Sequence, residues 1–228
     1  MLEMNIVYMN MKRLQLLLML LLPLSVLFAD NGKNLAVSVL DKAVQVMKSD
    51  AGVSMEFTYT VSDANGDALF NDKGYFCLDK NPEANTAERY TLQMQQLRIW
   101  CNGERQWNYM AQTNEIYITA ADSEEAQSLS PLYLMQLYKS GLYQCSLQTV
   151  AGKDVITLRS TDSATDFTEI KVWLSIKNSR LTRLQMVTAD GSCAQIVIDD
   201  YKSGCSFKSG MFECPIGEYR DAEVIDMF

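Results

Sequence analysis

The chain has 228 residues, a formal net charge of −8 and no histidine, with 48% of its residues hydrophobic and 21% charged. The acidic balance argues against a nucleic-acid partner, which needs Lys and Arg to displace counterions. The missing imidazole removes the commonest general base, the commonest zinc ligand and both Ser-His and Cys-His nucleophile pairs.

The first element reads as an export signal. Lys12 and Arg13 supply positive charge, Leu14 to Leu24 is apolar apart from Gln15 and Pro23, and Ser25-Val26-Leu27-Phe28-Ala29 offers a small residue before Asp30. This order predicts a cleaved signal peptide over 1–29, with Met11 as its start. Leu14 to Ala29 is shorter than the ~20 residues that cross a bilayer. No cysteine follows Ala29 to take a lipid, so the expectation is a free, soluble chain 30–228 in a bacterial envelope. That span carries 18 basic and 27 acidic residues, a net charge of −9, which fits solubility. It is long enough for one domain.

Asn34 to Ser49 has Leu35, Val39, Leu40, Val44 and Met47 at helical spacing, and Gly52 follows as a stop. The period then changes to two. Val53, Met55, Phe57, Tyr59 and Val61 alternate with polar residues, as in a half-buried strand. Asn65-Gly66 predicts a type I′ hairpin turn into Ala68 to Leu78. Asn81 to Glu88 reads as a polar loop. Short extended runs then follow at Arg89–Met94, Leu97–Cys101, Gln106–Met110 and Glu115–Thr119, with Asn102-Gly103 and Thr113-Asn114 as turns.

Ala120 to Ser128 reads as an acidic surface loop, and Ser130-Pro131 opens a second helix that is apolar nearly all round until Ser140-Gly141. Further strands are expected at Leu142–Leu147, Asp154–Arg159, Ile170–Ile176, Arg180–Thr188 and Cys193–Asp199, with a tail ending in Glu223 to Phe228. The total is a mainly β (α+β) antiparallel meander of about ten strands and two or three helices.

The six cysteines form no C-x-x-C pair, so neither a zinc ribbon nor a thioredoxin-like motif is present. They allow three disulfides or a set of small buried thiols; Cys205 and Cys214 are the sequence-local pair. Among carboxylates, Glu124-Glu125 sits in the predicted loop. Asp199-Asp200 is expected to point to opposite faces of its strand. Neither makes a catalytic pair, no nucleophile motif accompanies them, and no enzyme is expected.

Ile99-Trp100-Cys101-Asn102-Gly103-Glu104-Arg105-Gln106-Trp107-Asn108-Tyr109, followed by Asn114-Glu115-Ile116-Tyr117-Ile118, resembles the hairpin of the LolA-like outer-membrane lipoprotein carriers, especially their divergent Bacteroidetes branch. Ser130 to Leu134 is similar to the helix that follows it, and Phe212 to Pro215 with Glu223 to Asp226 to the family's ending. The resemblance implies a half-open β-barrel covered by helices and no cofactor. It implies a periplasmic, monomeric chaperone that shuttles acylated lipoproteins from an inner-membrane lipoprotein-releasing ABC transporter to the outer membrane, either to an outer-membrane acceptor or by delivering them alone. A different class on the same fold is an amphiphile-sensing regulatory module. The candidate lipid-binding lining is Met55, Phe57, Tyr59, Met94, Trp107, Tyr109, Ile116, Ile118, Leu134 and Met135, to which methionine contributes a pliable surface. The family's Phe-Arg-Trp strand, whose arginine is linked to lid closure, is not reproduced in the nearest stretch, Arg89 to Met94; Arg89 and Arg98 are the available substitutes.

Overall fold

The structure, a computed structural model, describes residues 32–50, 52–79, 88–123, 126, 131–208 and 210–228. The predicted signal peptide and most of the polar loop after Asn81 lie outside these residues, as do Glu124, Glu125 and the side chain of Leu134.

Helix α1 spans 32–49. Its buried stripe is Ala36, Leu40, Ala43, Val44 and Met47, whereas Leu35, expected in the stripe, is 56% exposed. The helix thus turns its two alanines to the core, where their small side chains let its backbone lie close to the sheet. Asp50 accepts hydrogen bonds from the Tyr201 hydroxyl (3.3 Å) and Arg180 (3.5 Å), and Arg180 stacks over the Tyr201 ring at 4.5 Å. These contacts fix the helix end to the sheet.

Twelve strands follow: β1 Val53–Ser62, β2 Ala68–Leu78, β3 Arg89–Gln93, β4 Leu97–Asn102, β5 Arg105–Met110, β6 Glu115–Ala120, β7 Tyr143–Val150, β8 Lys153–Ser160, β9 Glu169–Ser175, β10 Leu181–Val187, β11 Cys193–Ser203 and β12 Glu223–Asp226. Helix α2 is Pro131–Gln136, continued by a 3₁₀ turn over Leu137–Ser140 and stopped by Gly141 at φ 78°.

All twelve strands form one sheet in the order β12-β6-β5-β4-β3-β2-β1-β11-β10-β9-β8-β7. This corrects the expected count of about ten and the expected half-open barrel: the outermost strands, β12 and β7, do not pair, so the sheet is open. It also divides the expected meander. β1–β6 and β7–β11 are separate meanders joined by antiparallel pairing of β1 with β11, and β12 runs parallel to β6. The parallel direction follows from the connection: β12 arrives by a segment that crosses the sheet rather than by a hairpin.

One face, here the inner face, carries the main core. Val53, Met55 and Phe57 of β1 meet Phe76 and Leu78 of β2, Ile156 and Leu158 of β8, Ile170, Val172 and Leu174 of β9, and the stripe of α1. Met135 of α2 is fully buried in the same core. The Tyr138 hydroxyl donates to Asp41 of α1, and Lys139 pairs with the same carboxylate at 3.6 Å, tying the two helical segments together.

The β1–β11 ladder shifts register between Glu56 and Phe57: Glu56 faces Asp200, Phe57 faces Ile198, and Asp199 is the extra residue. This bulge sets both aspartates on the outer face, overturning the expectation that they diverge. Thr58 donates to Asp199 at 2.8 Å, and Lys202 pairs with Asp200 at 2.8 Å, so each carboxylate is separately engaged.

The β1–β2 turn is also not type I′. Gly66 has φ 89°, but Asn65 is not among the positive-φ residues. Asp63 instead accepts the backbone N–H of both Asn65 and Asp67 at 2.9 Å, building the turn on a carboxylate.

Two glycines separate backbone strain from crowding. A Cβ on Gly66 would meet nothing within 4 Å, whereas one on Gly52 (φ 90°) would stand 2.2 Å from the Cys205 carbonyl oxygen. Gly66→Ala is expected to cost about 1 kcal/mol through its positive φ alone. Gly52→Ala is expected to cost about 3 kcal/mol, because a backbone collision adds to the strain. Urea unfolding midpoints of the two variants check this ordering.

Candidate functional site

Toward the β1–β2 turn the inner face opens into a cavity of about 370 Å³, within the usual range for small-molecule sites. Alternation places Met55, Phe57 and Tyr59 of β1 on its floor, beside Phe70 and Phe76 of β2, Leu184 and Met186 of β10, and Ile196 and Ile198 of β11. Leu92, Met94 and Leu97 close one side, and Phe167 another. Among the described residues, none of α1 or α2 lines it.

Gly74 makes room for this floor. It faces Phe57 across the β1–β2 ladder, and a Cβ at residue 74 would stand 2.0 Å from the end of the Phe57 ring. Tyr59 and Phe70 meet edge to face with centroids 6.0 Å apart. Burial pushes the Tyr59 hydroxyl above its ordinary pKa, so the wall stays neutral. The carboxylate of Asp72, the one acidic side chain among the described lining residues, accepts the Gln95 backbone N–H at 2.8 Å and thereby holds the β3–β4 turn.

Met55, Phe57, Tyr59 and Met94 are therefore brought together at the cavity. Met135 is buried in the core beyond it. Trp107, Tyr109, Ile116 and Ile118 are not brought there: they lie on the opposite face, with Trp100, in a second apolar cluster. The cross-strand pairs Trp100–Trp107–Ile118 and Arg98–Tyr109–Ile116 have the parity of that outer face. The lining residues that sequence reasoning missed include Phe70, Phe76, Leu184, Met186, Ile196 and Ile198. Their alternation is visible in the sequence, but the pairing of β11 with β1, which brings two of those strands beside Met55, is not.

A strap formed by residues 204–208 and 210–222 covers the outer cluster. Cys205 donates its N–H to the Gly52 oxygen at 3.2 Å. Phe212 is buried, meeting Phe207 edge to face at 5.5 Å and lying under Arg89 at 4.9 Å. Tyr219 lies 4.5 Å from the Tyr109 ring and 5.8 Å from Trp100, and its hydroxyl accepts from Arg98 at 2.8 Å. Asn114 then donates to the Asp221 carbonyl at 2.7 Å, delivering the chain to β12. Arg89 and Arg98 are both engaged here, on the face away from the cavity; Arg89 also pairs with Asp79 at 3.1 Å.

A second hollow on the outer face, about 560 Å³, is lined by Glu56, Thr58, Lys73, Tyr75, Gln93, Arg98 and Asp199 along with Phe57, Gly74 and Met94. It is larger, but its exposed and oppositely charged side chains offer little to an apolar ligand. Among the described residues no group of three or more Asp, Glu or Cys side chains is placed to hold a metal ion, and no helix is long and apolar enough to cross a membrane.

The sequence profile described as outer membrane lipoprotein carrier protein LolA matches residues 49–215. No curated protein matches the chain. Similar solved structures include a putative outer membrane lipoprotein-sorting protein domain from Vibrio parahaemolyticus, at 9% identity over 79% of this chain and 97% of that one, with a TM-score of 0.45. The Mycobacterium tuberculosis lipoprotein LppX has 13% identity over 77% and 99%, TM-score 0.45. The Pseudomonas aeruginosa MucA/MucB complex has 12% identity over 79% and 61%, TM-score 0.47.

The two faces are separable by mutation. Tyr219→Ala strips the ring that covers Trp100 and Tyr109, so stability is expected to fall by about 2–3 kcal/mol and tryptophan emission to shift to the red. Binding of an apolar dye to the inner cavity should be unchanged, as a titration with the dye would show.

Proposed function

We propose, because the chain belongs to the LolA family of outer membrane lipoprotein carrier proteins, that it binds the acyl chains of lipoproteins in the inner-face cavity and carries them across the periplasm. The observation behind this reading is the cavity itself: an apolar hollow on the sheet, lined from both meanders, with one acidic side chain already committed to a turn. Sequestering each methylene is worth about 0.8 kcal/mol, so a 16-carbon chain represents about 12 kcal/mol of exposure in water. An acylated protein therefore needs a protected passage. Met55, Met94 and Met186 supply unbranched, adaptable side chains to the lining, suited to chains that differ in length and bend.

In this reading residues 1–29 are a cleaved signal peptide and 30–228 the working carrier, monomeric and soluble in the periplasm. It receives cargo from an inner-membrane lipoprotein-releasing ABC transporter and passes it to an outer-membrane acceptor. The role is one of binding, not catalysis, and calls for no cofactor.

The reading is tested by displacing an apolar dye with a diacylated lipopeptide. Ile196→Lys, which sets a charge on the half-buried β11 wall, is expected to weaken lipopeptide binding at least tenfold, given the cost of burying an unpaired ammonium. Ile176→Lys, at a residue 51% exposed and outside the cavity, is expected to bind as the unaltered protein does. An apo mass in native mass spectrometry of the protein from its own envelope, together with no displacement, would overturn the proposal.

A further inference from the structure

We infer that Cys77 and Cys205 form a disulfide that fastens the start of the outer strap to β2, made by exchange with a low-molecular-weight or protein disulfide. Cys77 lies directly across the β1–β2 ladder from Ser54, and the Cys205 sulfur is 3.7 Å from the Ser54 hydroxyl. Opposed residues of antiparallel strands have Cα atoms about 4.5–5.5 Å apart, so both thiols border the same small side chain on the outer face. Cys205 lies just past the end of β11, its N–H held on the Gly52 carbonyl at 3.2 Å, so its backbone is fixed beside β1 and its side chain turns past Ser54 toward Cys77.

The other four thiols are placed elsewhere. Cys101 contacts the Glu88 carbonyl, Cys145 packs on the inner core, Cys193 faces Ser62 at the far end of β11, and Cys214 joins the outer aromatic cluster. The sequence-local pair Cys205 and Cys214 is not joined: Cys205 lies beside Ser54, whereas Cys214 packs on the Trp100–Trp107 cluster.

The exchange balances in two steps. Cys205, the more exposed thiol, attacks as thiolate on one sulfur of R–S–S–R; the S–S bond breaks, and RS⁻ leaves and takes a proton. The Cys77 thiolate then attacks the Cys205 sulfur of the mixed disulfide and expels the second RS⁻, which is protonated in turn. The protein loses two electrons and two protons, and one disulfide becomes two thiols. Burial, the largest cause, holds the Cys77 thiol above its ordinary pKa, so the second step is the slower. Closure pins the strap beside Gly52, where α1 passes into β1.

The full chain, incubated with oxidised glutathione under native conditions, quenched by alkylation and mapped by mass spectrometry, tests this. A Cys77–Cys205 linked peptide is expected, forming about tenfold faster per pH unit below the Cys77 pKa. Cys205→Ser should abolish the linkage and leave Cys77 unmodified, while Cys77→Ser should leave Cys205 carrying glutathione. Persistent glutathionylated Cys205 beside free Cys77 in the unaltered chain, or any other partner for Cys205, would overturn the inference. The map of the unaltered chain decides it even if Cys77→Ser does not fold.

Discussion

The pairing of β1 with β11 joins the two meanders, and the cavity and both of the sheet's covers are built around that seam. Val53 to Ser62 lie against Cys193 to Ser203, segments some 140 positions apart in the chain, and this ladder alone makes one sheet of two meanders. Such distant pairing bears a loop-closure entropy that local hairpins avoid. The offset comes from apolar contact across the join, where Phe57 meets Ile198 and Tyr59 meets Ile196. Those same pairs floor the cavity. The two covers are anchored at the join as well: α1 runs into β1 through Gly52, and the strap departs from the end of β11 at Cys205.

Within that ladder, the bulge at Asp199 keeps both faces consistent. Simple alternation from the inward Ile198 would turn Asp200 into the core and Tyr201 out to solvent. The extra residue restores the opposite arrangement: Asp200 faces outward to Lys202, and Tyr201 faces inward opposite Met55, where its hydroxyl reaches Asp50 at the end of α1. An unpaired carboxylate in that core would be far more costly than one irregular ladder step. The bulge thus protects the apolar lining and connects it to the helix.

What could be read from the sequence followed the range of the interactions. The strands of both meanders and helix α1 were legible, because period and turn residues are local. The face of each strand was legible only where one face is polar. Met55, Phe57 and Tyr59 alternate with Ser54, Glu56 and Thr58, and they line the cavity. In β5 the inward residues are the polar Gln106 and Asn108, the first fully buried and hydrogen-bonded by Tyr90 at 2.5 Å, while Trp107 and Tyr109 point outward. Assigning aromatics to the cavity fails there because the outer face has its own apolar cover, and that cover, the strap, has no periodic signature. Trp107, Tyr109, Ile116 and Ile118 lie under the strap on the outer face, not in the inner cavity.

The strap also sets an order of events during synthesis. Strand β12 is made about a hundred residues after β6, and at 5–20 residues per second that is an interval of roughly 5–20 s. Through that time Trp100, Trp107, Ile116 and Ile118 have no Tyr219 above them, and β6 has no β12 along its edge. Strand β1 likewise waits for β11. The nascent first meander therefore displays an aromatic face and open strand edges, the features that favour aggregation. An apolar face whose cover is encoded last has to be shielded by other means until that cover arrives.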